Sequence, residues 1–162
     1  MAASDKVIIF TDGACKGNPG RGGWAAVLKY DGQEHIVSGN DPRTTNNRME
    51  LLGAIRGLEA APPDRDIILF SDSTYVVNTM TKGWRRNANQ DLWEQLDRAS
   101  RDRRITWKWV RGHQGTPGNE QADAIASREA GLAGPRQSSP GTAAPAPSHR
   151  ESNRNQVRRP QP

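Results

Sequence analysis

The sequence predicts an α/β fold, and three observations carry that prediction. Two apolar runs, "VIIFT" (7–11) and "IILFS" (67–71), read as buried strands. A hairpin signal follows the first run, giving three antiparallel strands in the first half. Strands then alternate with helices in the second half, which calls for parallel pairing through right-handed crossovers.

Taken in order, "VIIFT" ends on Asp12, and "GACKGNPGRGG" after it reads as a turn-forming loop. "WAAVLKY" and "EHIVSG" flank "DGQ", whose Asp-Gly step marks a hairpin. "TTNNRMELLGAIRGLEA" sets Leu51, Ile55 and Leu58 at helical spacing. Thr45 or Asn46 can cap that helix, and "APP" stops it. Glu50 shares a face with Gly53, Ala54 and Gly57, small residues that let the helix approach the sheet closely. "DIILFS" is the next strand and "STYVVNTM" a short helix. "QDLWEQLDRAS" is amphipathic, with Leu92, Trp93, Leu96 and Ala99 inward. "ITWKWV" alternates as a strand, and a last helix from about Gly118 to Ala130 carries Ala122, Ile125 and Ala126.

At 162 residues the chain suffices for one well-buried domain plus a tail. A lone cysteine, Cys15, excludes a disulfide framework and a cysteine-rich zinc site; His35, His113 and His149 lie far apart, which argues against zinc. The N-terminal apolar run is too short for a signal peptide, and nothing approaches the ~20 apolar residues of a membrane span. We expect a soluble, cytoplasmic monomer with no membrane partner.

The net charge of +5 points to an anionic partner, and its distribution sharpens the point. Residues 82–111 hold nine Lys/Arg against four Asp/Glu, whereas residues 132–162 hold five Arg against Glu151 alone. From Leu132 the chain carries six prolines and many Ser, Ala, Gln and Asn, with Leu132 and Val157 as its only larger aliphatic residues. Such a segment cannot bury enough apolar surface to offset ordering entropy, so it is expected to be disordered.

"VIIFTD" and "IILFSD" end alike, each with an Asp two residues beyond a Phe (Phe10, Phe70). Strand alternation puts Asp12 and Asp72 on matching faces, at strand ends where open α/β sheets collect ligands. A lone strand-end Asp is usually a turn or cap residue; two like endings weaken that reading. Glu50, one turn into its helix, and Asp123, after "GHQGTPGNEQAD", can converge on the same point. Clustered carboxylates repel unless cations intervene, and Mg²⁺ suits an all-oxygen set.

These motifs, "TDGACKGNPG", "TTNNRMEL", "SDSTYVV", "DLWEQLD" and "WKWVRGHQGTPGNEQAD", closely resemble those of the type 1 ribonucleases H of bacteria, over about residues 5–131. The resemblance implies a ribonuclease H-like fold: a five-stranded mixed sheet flanked by helices, in a catalytic domain of residues 1–131, with a Pro/Ser/Arg-rich tail at 132–162. It implies hydrolysis of the RNA strand of RNA–DNA hybrids with two Mg²⁺ ions, Mn²⁺ being an alternative, giving 5′-phosphate and 3′-hydroxyl ends. By motif position Asp12, Glu50, Asp72 and Asp123 are the metal ligands. His113 is the loop histidine that aids proton transfer or product release.

The same correspondence gives Asn18, Asn46 and Asn47 to the minor groove and the RNA riboses, where the 2′-OH distinguishes RNA from DNA. Arg43, Thr45 and Asn89 fall to a pocket for a DNA phosphate. Cys15 matches a small packing residue, and Glu120 is left without a role. One departure stands out. Many relatives carry a basic, Trp-bearing protrusion before "DLW", but only residues 73–90 separate Asp72 from Asp91 here. "KGWRRNANQ", with Trp84, Arg85 and Arg86, is its reduced counterpart. Trp84 fits either a stacking contact to DNA or a hydrophobic plug. Two other readings stay open: a non-catalytic hybrid-binding module, which the four acids argue against, and a DNA transferase or integrase, which "TTNNRMEL" argues against.

Overall fold

A computed structural model describes residues 6–111 and 117–132 of the chain. Along them run β1 (Val7–Cys15), β2 (Gly20–Tyr30), β3 (Gln33–Thr44), α1 (Asn46–Ala60), β4 (Ile67–Ser71), α2 (Thr74–Lys82), α3 (Gln90–Ser100), β5 (Ile105–Trp109) and α4 (Pro117–Glu129). The strands form one sheet in the order β3-β2-β1-β4-β5. β1, β2 and β3 pair antiparallel; β4 pairs parallel with β1 and with β5. The expected five-stranded mixed sheet is therefore present.

The β2–β3 connection is the two-residue turn Asp31-Gly32, with φ of 55° and 72°. Two positive φ values match the right-handed twist of a tight hairpin, which is why Asp-Gly suits it. α1 starts where Thr45 accepts the backbone N–H of Arg48, and α2 where Ser73 accepts that of Val76.

The loop expected over "GACKGNPGRGG" is the main correction. Gly13–Cys15 and Gly20–Gly23 are strand, and the connection shrinks to Lys16–Pro19. The composition reads as turn chemistry, whereas several of these glycines serve close packing.

The sheet separates two packing layers. Val7, Ile9, Ala26, Leu28, Ile67 and Leu69 face α1, α2 and α3, which bring Leu51, Ile55, Leu58, Val76, Trp93 and Leu96. Gly53 and Gly57 let α1 lie on the sheet: a Cβ at 53 would stand 3.1 Å from the Asp12 carbonyl oxygen, and one at 57 would stand 3.0 Å from Ala26 Cβ. On the other face Phe10, Val27 and Phe70 pack with Ala122 and Ile125 of α4. Among the described residues no helix is long and apolar enough to cross a membrane.

Candidate metal centre and active site

Strand register brings the first two acids together. Phe10 is the partner of Phe70 in the parallel β1–β4 ladder, and their rings stack with centroids 5.0 Å apart. Two residues on, alternation returns Asp12 and Asp72 to the face of those rings, beyond the last paired residues. β1 continues past this point only because β2 remains beside it, pairing Asp12 with Ala25.

Glu50 arrives from α1. A Cβ on Gly13 would lie 2.5 Å from the Glu50 backbone nitrogen, so only glycine lets the first turns of α1 seat beside Asp12. Sequence alone does not reveal this role, because the glycine-rich stretch around Gly13 reads as a loop. Its signal was a glycine directly after the strand's acid.

Asp12, Glu50 and Asp72 are 1%, 3% and 5% exposed, and each offers an oxygen within 4.8 Å of the others'. Three carboxylates this close repel one another by roughly 3–4 kcal/mol per pair at an effective dielectric near 20. The set is all oxygen and anionic, which fits a hard divalent cation. Asp123 is on α4, the helix covering the same face of the sheet, and is half-buried. His113 lies outside the described residues.

The Ser71–Ser73 elbow that carries Asp72 is tightly bonded. Ser73 N–H donates to Ser71 Oγ at 3.0 Å, and Val110 N–H to the Ser71 carbonyl at 2.9 Å. Trp109 Nε1 donates to the Asp72 carbonyl at 3.2 Å. Trp109 was not among the candidates, although it ends the alternating "ITWKW".

The expected substrate residues fall into two groups. Asn18 is exposed and its Oδ1 accepts the Asn46 backbone N–H at 2.7 Å, tying the β1–β2 connection to the start of α1. Asn46 itself is fully buried, whereas Asn47 is half-buried with its Oδ1 lacking a partner among the described residues. Arg43 is exposed. Asn89 adopts left-handed geometry at the start of α3; its Oδ1 accepts from Arg48 at 3.2 Å and its Nδ2 donates to the Tyr75 hydroxyl at 3.0 Å.

The reduced basic segment is less available than its sequence suggests. Arg86 pairs with Asp97 at 2.7 Å and lies 4.8 Å over the Trp93 ring, so it braces α3. Arg85 is exposed and Trp84 half-buried. Cys15 is buried, its thiol donating to the carbonyls of Thr44 and Gly20, and burial pushes its pKa up to about 11. That is a packing cysteine, as expected.

Comparison with known proteins agrees with this geometry. The RNase H family model matches residues 4–131. A ribonuclease H of Pseudomonas putida (strain W619) is 49% identical, over 77% of this chain and 93% of that one. A ribonuclease HI of Pseudomonas aeruginosa is 47% identical, over 79% and 95%. The solved N-terminal RNase H domain of Rv2228c from Mycobacterium tuberculosis superposes with a TM-score of 0.70 at 27% identity, covering 84% of this chain and all of that one. The chain belongs to the RNase H family. It is an endoribonuclease acting on the RNA strand of RNA–DNA hybrids, and its buried acid triad fits a divalent metal. This sets aside the non-catalytic binding module.

Proposed function

We propose that the chain works with two Mg²⁺ ions, Mn²⁺ being able to substitute, held by Asp12, Glu50, Asp72 and Asp123. The observation that supports this is the meeting of three buried carboxylates within 4.8 Å. When bound, the ions supply an activated water and stabilisation of the departing 3′ oxygen, leaving 5′-phosphate and 3′-hydroxyl ends. The residues supply placement. Asp12 and Asp72 are fixed by ladder register, Glu50 by its seat against Gly13, and Asp123 by α4. His113 takes the role of proton transfer or product release.

For the hybrid, Asn18, Asn46 and Asn47 are assigned to riboses and the minor groove. Arg43, Thr45 and Asn89 are assigned to a DNA phosphate. The Thr45 oxygen already accepts from Arg48, which leaves its O–H to donate to an anion. Asn89 likewise keeps one amide hydrogen beyond its bond to Tyr75. Trp84 is assigned a stacking contact to a DNA sugar or base. We take residues 1–131 as the catalytic domain of a cytoplasmic monomer, with 132–162 as an appendage.

The test is cleavage of RNA–DNA hybrid, double-stranded RNA and double-stranded DNA, each with Mg²⁺, Mn²⁺ or a chelator. Only the hybrid should be cut, only with a divalent ion, and with 5′-phosphate ends. Metal-independent cleavage, or 3′-phosphate products, would overturn the two-ion assignment.

A further inference from the structure

The β4–β5 ladder ends at the pair Ser71 and Trp109, one residue short of Asp72. Beyond that pair, the Trp109 indole N–H reaches across to the Asp72 carbonyl at 3.2 Å. The side chain thus continues the ladder by one step, onto the residue whose carboxylate belongs to the acid triad. The neighbouring elbow bonds involve Ser71 and Ser73: Ser73 N–H to Ser71 Oγ, Val76 N–H to Ser73 Oγ at 3.1 Å and Val77 N–H to the Ser73 carbonyl at 3.0 Å.

Trp109 is also 46% exposed, in contrast to Trp93 at 1%. Core packing does not account for a half-exposed indole at a strand end; an N–H aimed at the elbow does. We propose that Trp109 is a positioning residue for Asp72, its indole N–H fixing the backbone from which the carboxylate joins Asp12 and Glu50. The inference rests on Asp72 as a metal ligand.

Rotation of the Asp72 peptide swings its Cα–Cβ bond, and a triad held within 4.8 Å tolerates little of that. Losing one neutral hydrogen bond changes an equilibrium by about threefold to tenfold. That change should appear in metal affinity and turnover rather than in hybrid affinity.

The test uses Trp109→Phe, which keeps a ring and removes the N–H, with Asp72→Asn as control. Mg²⁺ alone is titrated by calorimetry and by tryptophan emission, and kcat and KM are measured on hybrid. The expected result is an Mg²⁺ midpoint weakened about threefold to tenfold, a lowered kcat, and KM for hybrid within about twofold. An unchanged Mg²⁺ midpoint in Trp109→Phe, with binding lost in Asp72→Asn, overturns the proposal alone. Normal Mg²⁺ binding by Asp72→Asn overturns the metal reading beneath it. A raised KM with unaltered Mg²⁺ affinity makes Trp109 a substrate contact and also overturns the proposal. Should Trp109→Phe fail to fold, benzothienylalanine at 109, which keeps the bicyclic shape without the N–H, gives the same comparison.

Discussion

Arg48 and Asp91 form a two-pronged ion pair, Nη1 to Oδ1 at 3.0 Å and Nη2 to Oδ2 at 2.8 Å, that joins α1 to the start of α3. The same guanidinium donates to Asn89, which in turn reaches the Tyr75 hydroxyl, itself the acceptor for Trp93 Nε1 at 3.1 Å. One network thus links the helix of Glu50, the helix that follows Asp72 and the residue assigned to the DNA phosphate.

Arg48→Ala should therefore cost hybrid affinity more than chemistry. The pair is partly exposed, with side chains 33% and 60% accessible, so its share of stability is about 1 kcal/mol or less. With Asn89 released, KM for hybrid should rise roughly threefold to tenfold while kcat stays within about twofold. Arg48→Lys should not restore KM, because an ammonium cannot make both parallel bonds. Steady-state kinetics on hybrid check both variants; a wild-type KM in Arg48→Ala would remove Asn89 from the phosphate assignment.

Much of this was legible in the sequence, because the signals were local. Asp31-Gly32 fixed the hairpin, Thr45 the start of α1, and the Phe-x-Asp spacing the meeting of Asp12 with Asp72. What escaped depends on contacts between elements distant in sequence. Gly13 reads as turn chemistry until α1 is seen against it, and Arg86 reads as a free cation until Asp97 and the Trp93 ring are placed beside it. Trp109 reads as one alternating strand residue, since its bond to Asp72 spans two parallel strands.

The acid side of the stability curve should depend on Glu129. Its carboxylate accepts from Asn40 at 2.8 Å and from Ser38 at 2.7 Å, tying the end of α4 to β3. Those bonds, Asn40 first and then Ser38, hold its pKa below the ordinary 4.5. A depressed carboxyl contributes stability that is fully present above the ordinary value and is lost as pH falls through the folded-state value. Glu129→Gln should lower stability at pH 7 by about 0.5–1 kcal/mol, and the gap should narrow toward pH 3. Urea midpoints at the two pH values measure the difference; an equal gap at both would exclude the charge.

The arginines of residues 132–162 should make up part of the missing basic protrusion. Arg86 is engaged with Asp97, which leaves fewer cations near Trp84 for phosphates. Each phosphate neutralised adds roughly 0.9 to the slope of log affinity against log salt on a B-form duplex. With two to four tail arginines engaged, truncation after Gly131 should flatten the slope by about 2–4 units. Rate at saturating hybrid should change little. Equal slopes would make the tail a solubilising extension.

Asp12→Asn should abolish cleavage and at the same time stabilise the metal-free protein. Asp12 sits 1% exposed among carboxylates whose repulsion no bound cation relieves in a chelator. Removing one charge from three relieves two of the pairwise repulsions. Local relaxation of the side chains takes up much of the roughly 6–8 kcal/mol that two such pairs represent, so a net gain of about 2 kcal/mol is expected, roughly 4–8 °C in melting temperature for a domain of this size. Mg²⁺ reverses the order. An ion that binds only the folded state stabilises wild type in proportion to the logarithm of its concentration over Kd. The variant lacks one ligand and should respond less. Melting curves of both proteins, in chelator and across an Mg²⁺ series, should therefore cross. A variant less stable than wild type in chelator would mean that Asp12 holds the fold through its charge rather than straining it. Parallel rather than crossing curves would mean that Asp12 does not bind the ion.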